Sequence, residues 1–310
     1  MSDTEVDAMC EAVRETKEKV GISVCGSFGL LNEQQFRRLK EAGVTRVHNN
    51  LEIPNRNYNK TDMALLKELG YEVRFAMSKN LFITGTGTDV GNTYLTGLIV
   101  KKLREGGASS AYYKAAMSGN ERRPDGTLIP GDALQVKTMS GVEQPLEEMC
   151  PYIYETAVSP HLAAKIEGNP IEMECVLKNF DRVCGTYDYV TVEGSGGIFC
   201  PLRFDEQKIQ LEDFIKARSL ACLMIADAGL GTINAVVLTA EYMKARKIPV
   251  KGIIFNHYEP GNPLHEDNRL MCEAMTGLNV VACVKDGDMD LDIPFELMEG
   301  FYEENGGNRK

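Results

Sequence analysis

Between Leu81 and Gly97 the chain reads LFITGTGTDVGNTYLTG. Gly85, Gly87 and Gly91 let the backbone approach a polyanion. A helix starting just after them would turn unpaired amides and its positive end toward phosphate. Thr93 puts a hydroxyl where loops of this type ligate Mg2+. The spacing, however, is G-x5-G-N-T rather than G-x4-G-K-T, and asparagine holds position 92 where lysine is usual. A glycine-rich strand-to-helix turn with no ligand would use the same glycines. The apolar run before them and the long helical pattern after them favour phosphate.

Other groups could work beside that loop. Lys114 and Ser118 follow an apolar run in YYKAAMSG, and Asp132 follows in PGD. Lys114 would hold phosphate or an anionic intermediate as a flexible point charge; a lysine at an exposed sheet edge is the plainer reading. Glu193 ends VTVEGSGG, with Gly196 and Gly197 leaving room for a ligand. Its carboxylate suits Mg2+ or a substrate ammonium, and equally a turn acid. Asn256 ends VKGIIFNHY, where its amide could read a base edge or close a turn. Ser159 and His161 fit a helix cap and a packed or surface histidine. Arg122 and Arg123 read as solvated loop charges.

These groups need elements to hold them. Apolar runs at SKNLFITGTG, SAYYKAAM, YDYVTVEGSGG, ACLMIADAG, VKGIIFNHY and VVACVKDG alternate with helical patterns. That alternation predicts an α/β fold with a mostly parallel sheet covered by helices on both faces. Ligands then bind beyond the C-terminal strand ends. The expected domain spans 77–300, followed by a frayed tail, 301–310. Before it lie three helix–strand pieces in 1–76, a core too small to be stable alone.

The chain has 310 residues, 43% of them apolar, and a net charge of -11. Such a balance offers no basic surface for nucleic acid and favours small-molecule partners. Nine cysteines form no CxxC pair, which predicts free buried thiols in a reducing compartment. With no apolar stretch of spanning length and a charged start, a cytoplasmic, non-membrane protein is expected.

The stretches GTGTDVGNT, YYKAAMSG, GDA, SPHLAA, VEGSGG, LGTINAVVLTA and IIFNH, in that order over roughly 220 residues, resemble dethiobiotin synthetase. The resemblance implies a P-loop NTPase-like fold and an ATP- and Mg2+-dependent cyclo-ligase. Its substrates are 7,8-diaminononanoate and CO2, and it works as a homodimer with substrate near the subunit interface. It places the nucleotide along Gly87, Thr88, Asp89, Val90, Gly91, Asn92, Thr93 and Tyr94, with Glu193, Gly196 and Gly197 beside it. Asn256 would read adenine. Thr93, Asp132 and Glu193 would ligate Mg2+, and Lys114, Ser118, Thr88 and position 92 would serve catalysis. Asn92 departs from the family's lysine, so impaired turnover is expected, with a weak or inactive nucleotide-binding protein as the alternative.

Residues 1–76 resemble an internal fragment of biotin synthase, through MCEAVRETKEKVGISVCGSFGLLNEQQFRRLKEAGVTRVHNNLE. That implies a truncated α/β barrel piece, with Cys25 and Asn50 in motif positions. The CxxxCxxC loop is missing from the sequence, so no iron–sulfur cluster is expected.

Overall fold

The structure is a computed structural model that describes residues 2–20, 24–27, 32–48, 68 and 78–304. The chain forms two compact units, Met1–Ala76 and Met77–Lys310.

In the first unit, helix α1 (Asp3–Val20) is followed by β1 (Val24–Ser27), α2 (Glu33–Ala42) and β2 (Val44–His48). Val6, Cys10 and Val13 recur at helical spacing and are buried, as are Phe36 and Leu39 of α2. Asn32 and Gln35 form a capping box that starts α2, and left-handed Gly43 ends it. β1 and β2 pair in parallel; a two-stranded pair among the described residues does not by itself make the expected barrel fragment. Asn50, most of the third helical pattern and YEVRFA lie outside them.

The second unit is built on a sheet of order β10-β9-β8-β3-β5-β4. Its strands are β3 (Lys79–Gly85), β4 (Ser110–Lys114), β5 (Tyr189–Gly197), β8 (Cys222–Asp227), β9 (Val250–Asn256) and β10 (Val280–Cys283). All pair in parallel along this path. The chain runs outward from β3 to β4, then returns to place β5 and β8 on either side of β3. The loop after β3 therefore sits at the switch point where α/β sheets take ligands.

Burial alternates along β3. Leu81 and Ile83 join one core with Leu95, Leu98, Ile99 and Leu103 of helix α3 (Asn92–Glu105). Phe82 faces the opposite core, where it meets Phe214 edge-on at 6.3 Å. That core is closed by Phe180 of α7 (Met173–Thr186) and Phe214 of α8 (Leu211–Arg218). Helices thus cover both faces, as the alternation of apolar runs predicts.

Three elements escape the sequence reading. Helix α4 (Gly131–Ser140) starts after Pro130 without a side-chain cap, so only its short Ala133 and Val136 face signals it. A two-stranded hairpin, β6 (Pro201–Phe204) with β7 (Lys208–Gln210), follows β5. The third corrects the expected tail. Phe301 and Tyr302 are buried, and β11 (Glu303–Glu304) pairs antiparallel with Asn80 and Lys79. β8 joins β3 only from Phe82 onward, which leaves the start of β3 with a free edge for β11. The Tyr302 and Thr191 hydroxyls, 2.6 Å apart, fasten this return.

Candidate active site

Strand register creates the central constellation. β4 and β5 pair Lys114, the last residue of β4, with Glu193 in the middle of β5. The Lys114 ammonium donates to Glu193 Oε1 at 2.6 Å and to Asp132 Oδ2, on α4, at 2.7 Å. Thr93, in the first turn of α3, donates its hydroxyl to the same Glu193 oxygen at 2.8 Å. The other oxygen accepts the Tyr112 hydroxyl at 2.9 Å. The Glu193 side chain is 1% exposed and that of Lys114 8%, so this is a buried charge cluster open mainly through Asp132. Burial pulls the lysine's pKa down, but Glu193 and then Asp132 outweigh it and hold it above the ordinary value. Burial, aided by Glu193, pushes the Tyr112 phenol well up and keeps it a donor.

Tyr112 was not singled out by sequence, although a signal existed. It lies two residues before Lys114, on the same face of β4. Asn120 is a second omission: its amide donates to the Tyr154 carbonyl at 2.8 Å and accepts from Gly131 N–H at 2.9 Å. It thereby sets the start of α4, and with it Asp132.

The glycine loop folds against these groups. Gly85 pairs with Gly197 across β3 and β5. Gly91 has φ +89°, and a Cβ there would stand 2.1 Å from Asn256 Nδ2. Asn256 ends β9 and donates to the Val90 carbonyl at 3.1 Å, bracing the loop from behind; its Oδ1 is buried without a partner among the described residues. Asp89 also holds a positive φ, +60°. Asn92 turns back over Gly85, where a Cβ would stand 2.7 Å from both amide atoms. Its Nδ2 lies 3.4 Å from the Gly196 carbonyl, and its Oδ1 is buried with no partner among the described residues.

A cavity of about 700 Å3 gathers Thr88, Asp89, Lys114, Ser118, Asp132, Gly196 and Gly197. Its size suits a small organic substrate. Ser118 donates to the Val158 carbonyl and so ties the cavity wall to the segment before α6 (Pro160–Ile166). Tyr94 is turned elsewhere, its hydroxyl donating to the Asp288 carbonyl. Arg122 pairs with Glu155 at 2.7 Å on the surface, as a solvated loop charge would.

Among the described residues no cluster of three or more His, Cys, Asp or Glu side chains is arranged for a metal. Thr93, Glu193 and Asp132 are instead a hard-oxygen set of the sort that holds Mg2+ together with phosphate oxygens. The Lys114 ammonium already bridges the two carboxylates, so the donor set accommodates positive charge. The donor chemistry fits Mg2+ and a nucleotide. Among the described residues Cys10, Cys150, Cys175, Cys200, Cys222, Cys272 and Cys283 are thiols outside any disulfide; burial pushes Cys150 up to about 12. No helix among the described residues is long and apolar enough to cross a membrane.

An AAA domain family model matches residues 79–288. ATP-dependent dethiobiotin synthetase BioD of Clostridium botulinum strain Loch Maree is 46% identical over 228 residues, covering 74% of this chain and all of that protein. Its counterpart from Brachyspira hyodysenteriae is 47% identical over 217 residues, 70% of this chain and 96% of that one. Among solved structures, a ParA family ATPase from Chlorobium tepidum aligns with a TM-score of 0.41 at 13% identity, over 72% of this chain and 90% of that one. Identity near one half along the whole length of such relatives extends far beyond a shared loop, and it spans the strands that carry Lys114 and Glu193. The chain belongs to the ATP-dependent dethiobiotin synthetase family.

Proposed function

We propose that this protein closes the ureido ring of 7,8-diaminononanoate with CO2 and ATP, giving dethiobiotin, ADP and phosphate. The observation that carries the reading is the Thr93–Glu193–Lys114–Asp132 cluster beside the glycine loop. One amine adds to CO2 and loses a proton to form a carbamate. A carbamate oxygen takes the γ-phosphoryl group and ADP leaves. The second amine then attacks the carbonyl carbon and expels phosphate. No covalent enzyme nucleophile is needed, so the protein's work is alignment and charge neutralisation.

In this reading Lys114, held charged by Glu193 and Asp132, faces the carbamate and the phosphoryl group in transfer. Thr93, Glu193 and Asp132 would hold Mg2+, which when bound offsets charge on the phosphate oxygens. Loop amides from Gly87 to Thr93 would cradle those oxygens, and the unpaired Asn256 Oδ1 would accept from the adenine amino group. Ser118 and Gly196 border the substrate cavity. Phe199, 67% exposed, borders it too, which supports a homodimer covering its mouth.

Asn92 makes this enzyme slow. Its amide is spent on the Gly196 carbonyl and brings no charge to the phosphates. Loss of one such electrostatic contact costs about 3–4 kcal/mol, or roughly 10²–10³ in rate. Asn92→Lys raises steady-state dethiobiotin formation by that order; equal, robust rates for both forms would discard the impairment. ATP titration beside the product assay separates a slow enzyme from a nucleotide-binding protein without ring closure. For residues 1–76 we keep the reading of a biotin-synthase-like remnant without a cluster. Its support is the sequence resemblance and the parallel β1–β2 pair, since the family model begins at residue 79.

A further inference from the structure

Strand β4 has chemistry at both ends. Lys114 closes it in the catalytic cavity, while Ser110 opens it beside a second cavity of about 580 Å3 that shares no lining residue with the first. Two lining groups there are unspent. Ser110 Oγ and Gln144 Nε2 are buried and have no hydrogen-bond partner among the described residues. The residues are 7% and 1% exposed. The orientation of the Gln144 amide follows from its other end, whose Oε1 accepts the Tyr112 backbone N–H at 2.8 Å. The amide nitrogen is therefore the end left without a partner, in a residue that lines the cavity. Buried polar groups without a protein partner are uncommon, and a pair of them on one cavity points to a ligand that supplies acceptors.

The surroundings narrow its chemistry. Arg104 lies across left-handed Gly141, its Cζ 3.4 Å from where a Cβ would stand, which puts a guanidinium on the rim. Lys137 donates to the Glu143 and Gln144 carbonyls and holds the segment that carries Gln144 in place. Opposing charge comes from exposed Glu143 on the rim and from Glu105, 3.5 Å from Arg104. This balance disfavours a polyanion such as a nucleotide, and Arg104 is the one guanidinium on the rim that can offset a single negative charge. Ala108, Val142 and the Tyr187 ring supply the apolar wall.

We propose that this cavity is a binding site for a small aliphatic carboxylate. Its oxygens accept from the Gln144 amide and the Ser110 hydroxyl, Arg104 offsets its charge, and its hydrocarbon lies on Val142 and Tyr187. The site stands independently of the catalytic reading.

The test is isothermal titration of the full chain with sodium hexanoate, using hexan-1-ol as the uncharged control at fixed ionic strength. Gln144→Glu keeps the acceptor for Tyr112 but replaces the donor with a carboxylate oxygen, and Ser110→Ala removes the hydroxyl. Hexanoate saturates one site at least about tenfold more tightly than hexanol; Gln144→Glu weakens it by about tenfold or more and Ser110→Ala by several-fold. Thermal unfolding of each variant confirms that it is folded, and Arg104→Gln, also weaker, replaces Gln144→Glu if that variant is not. Asp132→Asn in the catalytic cavity leaves hexanoate affinity unchanged. No saturable binding, equal affinity for hexanol, unchanged affinity in the site variants, or a loss confined to Asp132→Asn would each overturn the proposal.

Discussion

Lys114 shows how one residue depends on its partners. With Glu193 almost wholly buried beside it, Lys114→Met strands a carboxylate without its counter-charge and costs about 3–5 kcal/mol of stability in denaturant titrations at neutral pH. The lysine's folded pKa is raised by Glu193 and Asp132 against the pull of burial. Its contribution is therefore fully present below the unfolded lysine value of about 10.4 and is lost as pH rises through the higher folded value. The difference between wild type and Lys114→Met should match at about pH 8 and about pH 9.5, and shrink only above about pH 10.4. A decline already near neutral pH would mean that the lysine titrates there. The importance of Lys114 was legible in YYKAAMSG. Its two carboxylate partners were legible only as separate candidates, because they lie 18 and 79 residues away along the chain.

Among the elements, the junction of the β3–α3 loop with the end of β9 decides how the loop is held. Gly91 serves two ends there: a left-handed turn, and room for the Asn256 amide, whose hydrogen bond to Val90 spans 166 residues of chain. Gly91→Ala adds backbone strain of roughly 1–2 kcal/mol and drives a methyl into the Asn256 amide. ATP affinity should fall by at least about tenfold in a protein whose circular dichroism still reports the α/β fold. Unchanged affinity would show that Asn256 does not brace the loop. The glycine's need for a special conformation was readable from the motif. The sequence offers Asn256 as a base contact or a turn residue, while its bracing bond to Val90 depends on strand order and is not legible there. Helix α4 escaped for a related reason: its start is set by Asn120 rather than by a cap within its own sequence.

For the whole molecule, the segment that ends in Glu304 returns to the middle of the open sheet. Phe301 and Tyr302 are buried and β11 completes the free edge of β3, so a chain stopped after Gly300 loses two packed aromatics. It should be less stable by at least about 3 kcal/mol in chemical denaturation. A truncation without cost would restore the view of 301–310 as a loose tail. Composition could not reveal this return, since EENGGNRK is polar and the aromatic pair before it is too short for a periodic signal.

The sequence by itself determined the α/β class, the glycine loop with its asparagine, the lysine and acids of the site, and the family. Those signals are short and contiguous, and the motifs that bear them follow one another in a specific order. Only the tertiary structure decided that Thr93, Lys114, Asp132 and Glu193 share one buried cluster, and that Tyr112 supports it. Only there does Asn92 spend its amide on Gly196, and only there do Ser110 and Gln144 meet at a second cavity. The physical reason is register: parallel pairing sets which residues from distant segments stand side by side, and burial then makes their charges and hydrogen bonds depend on one another.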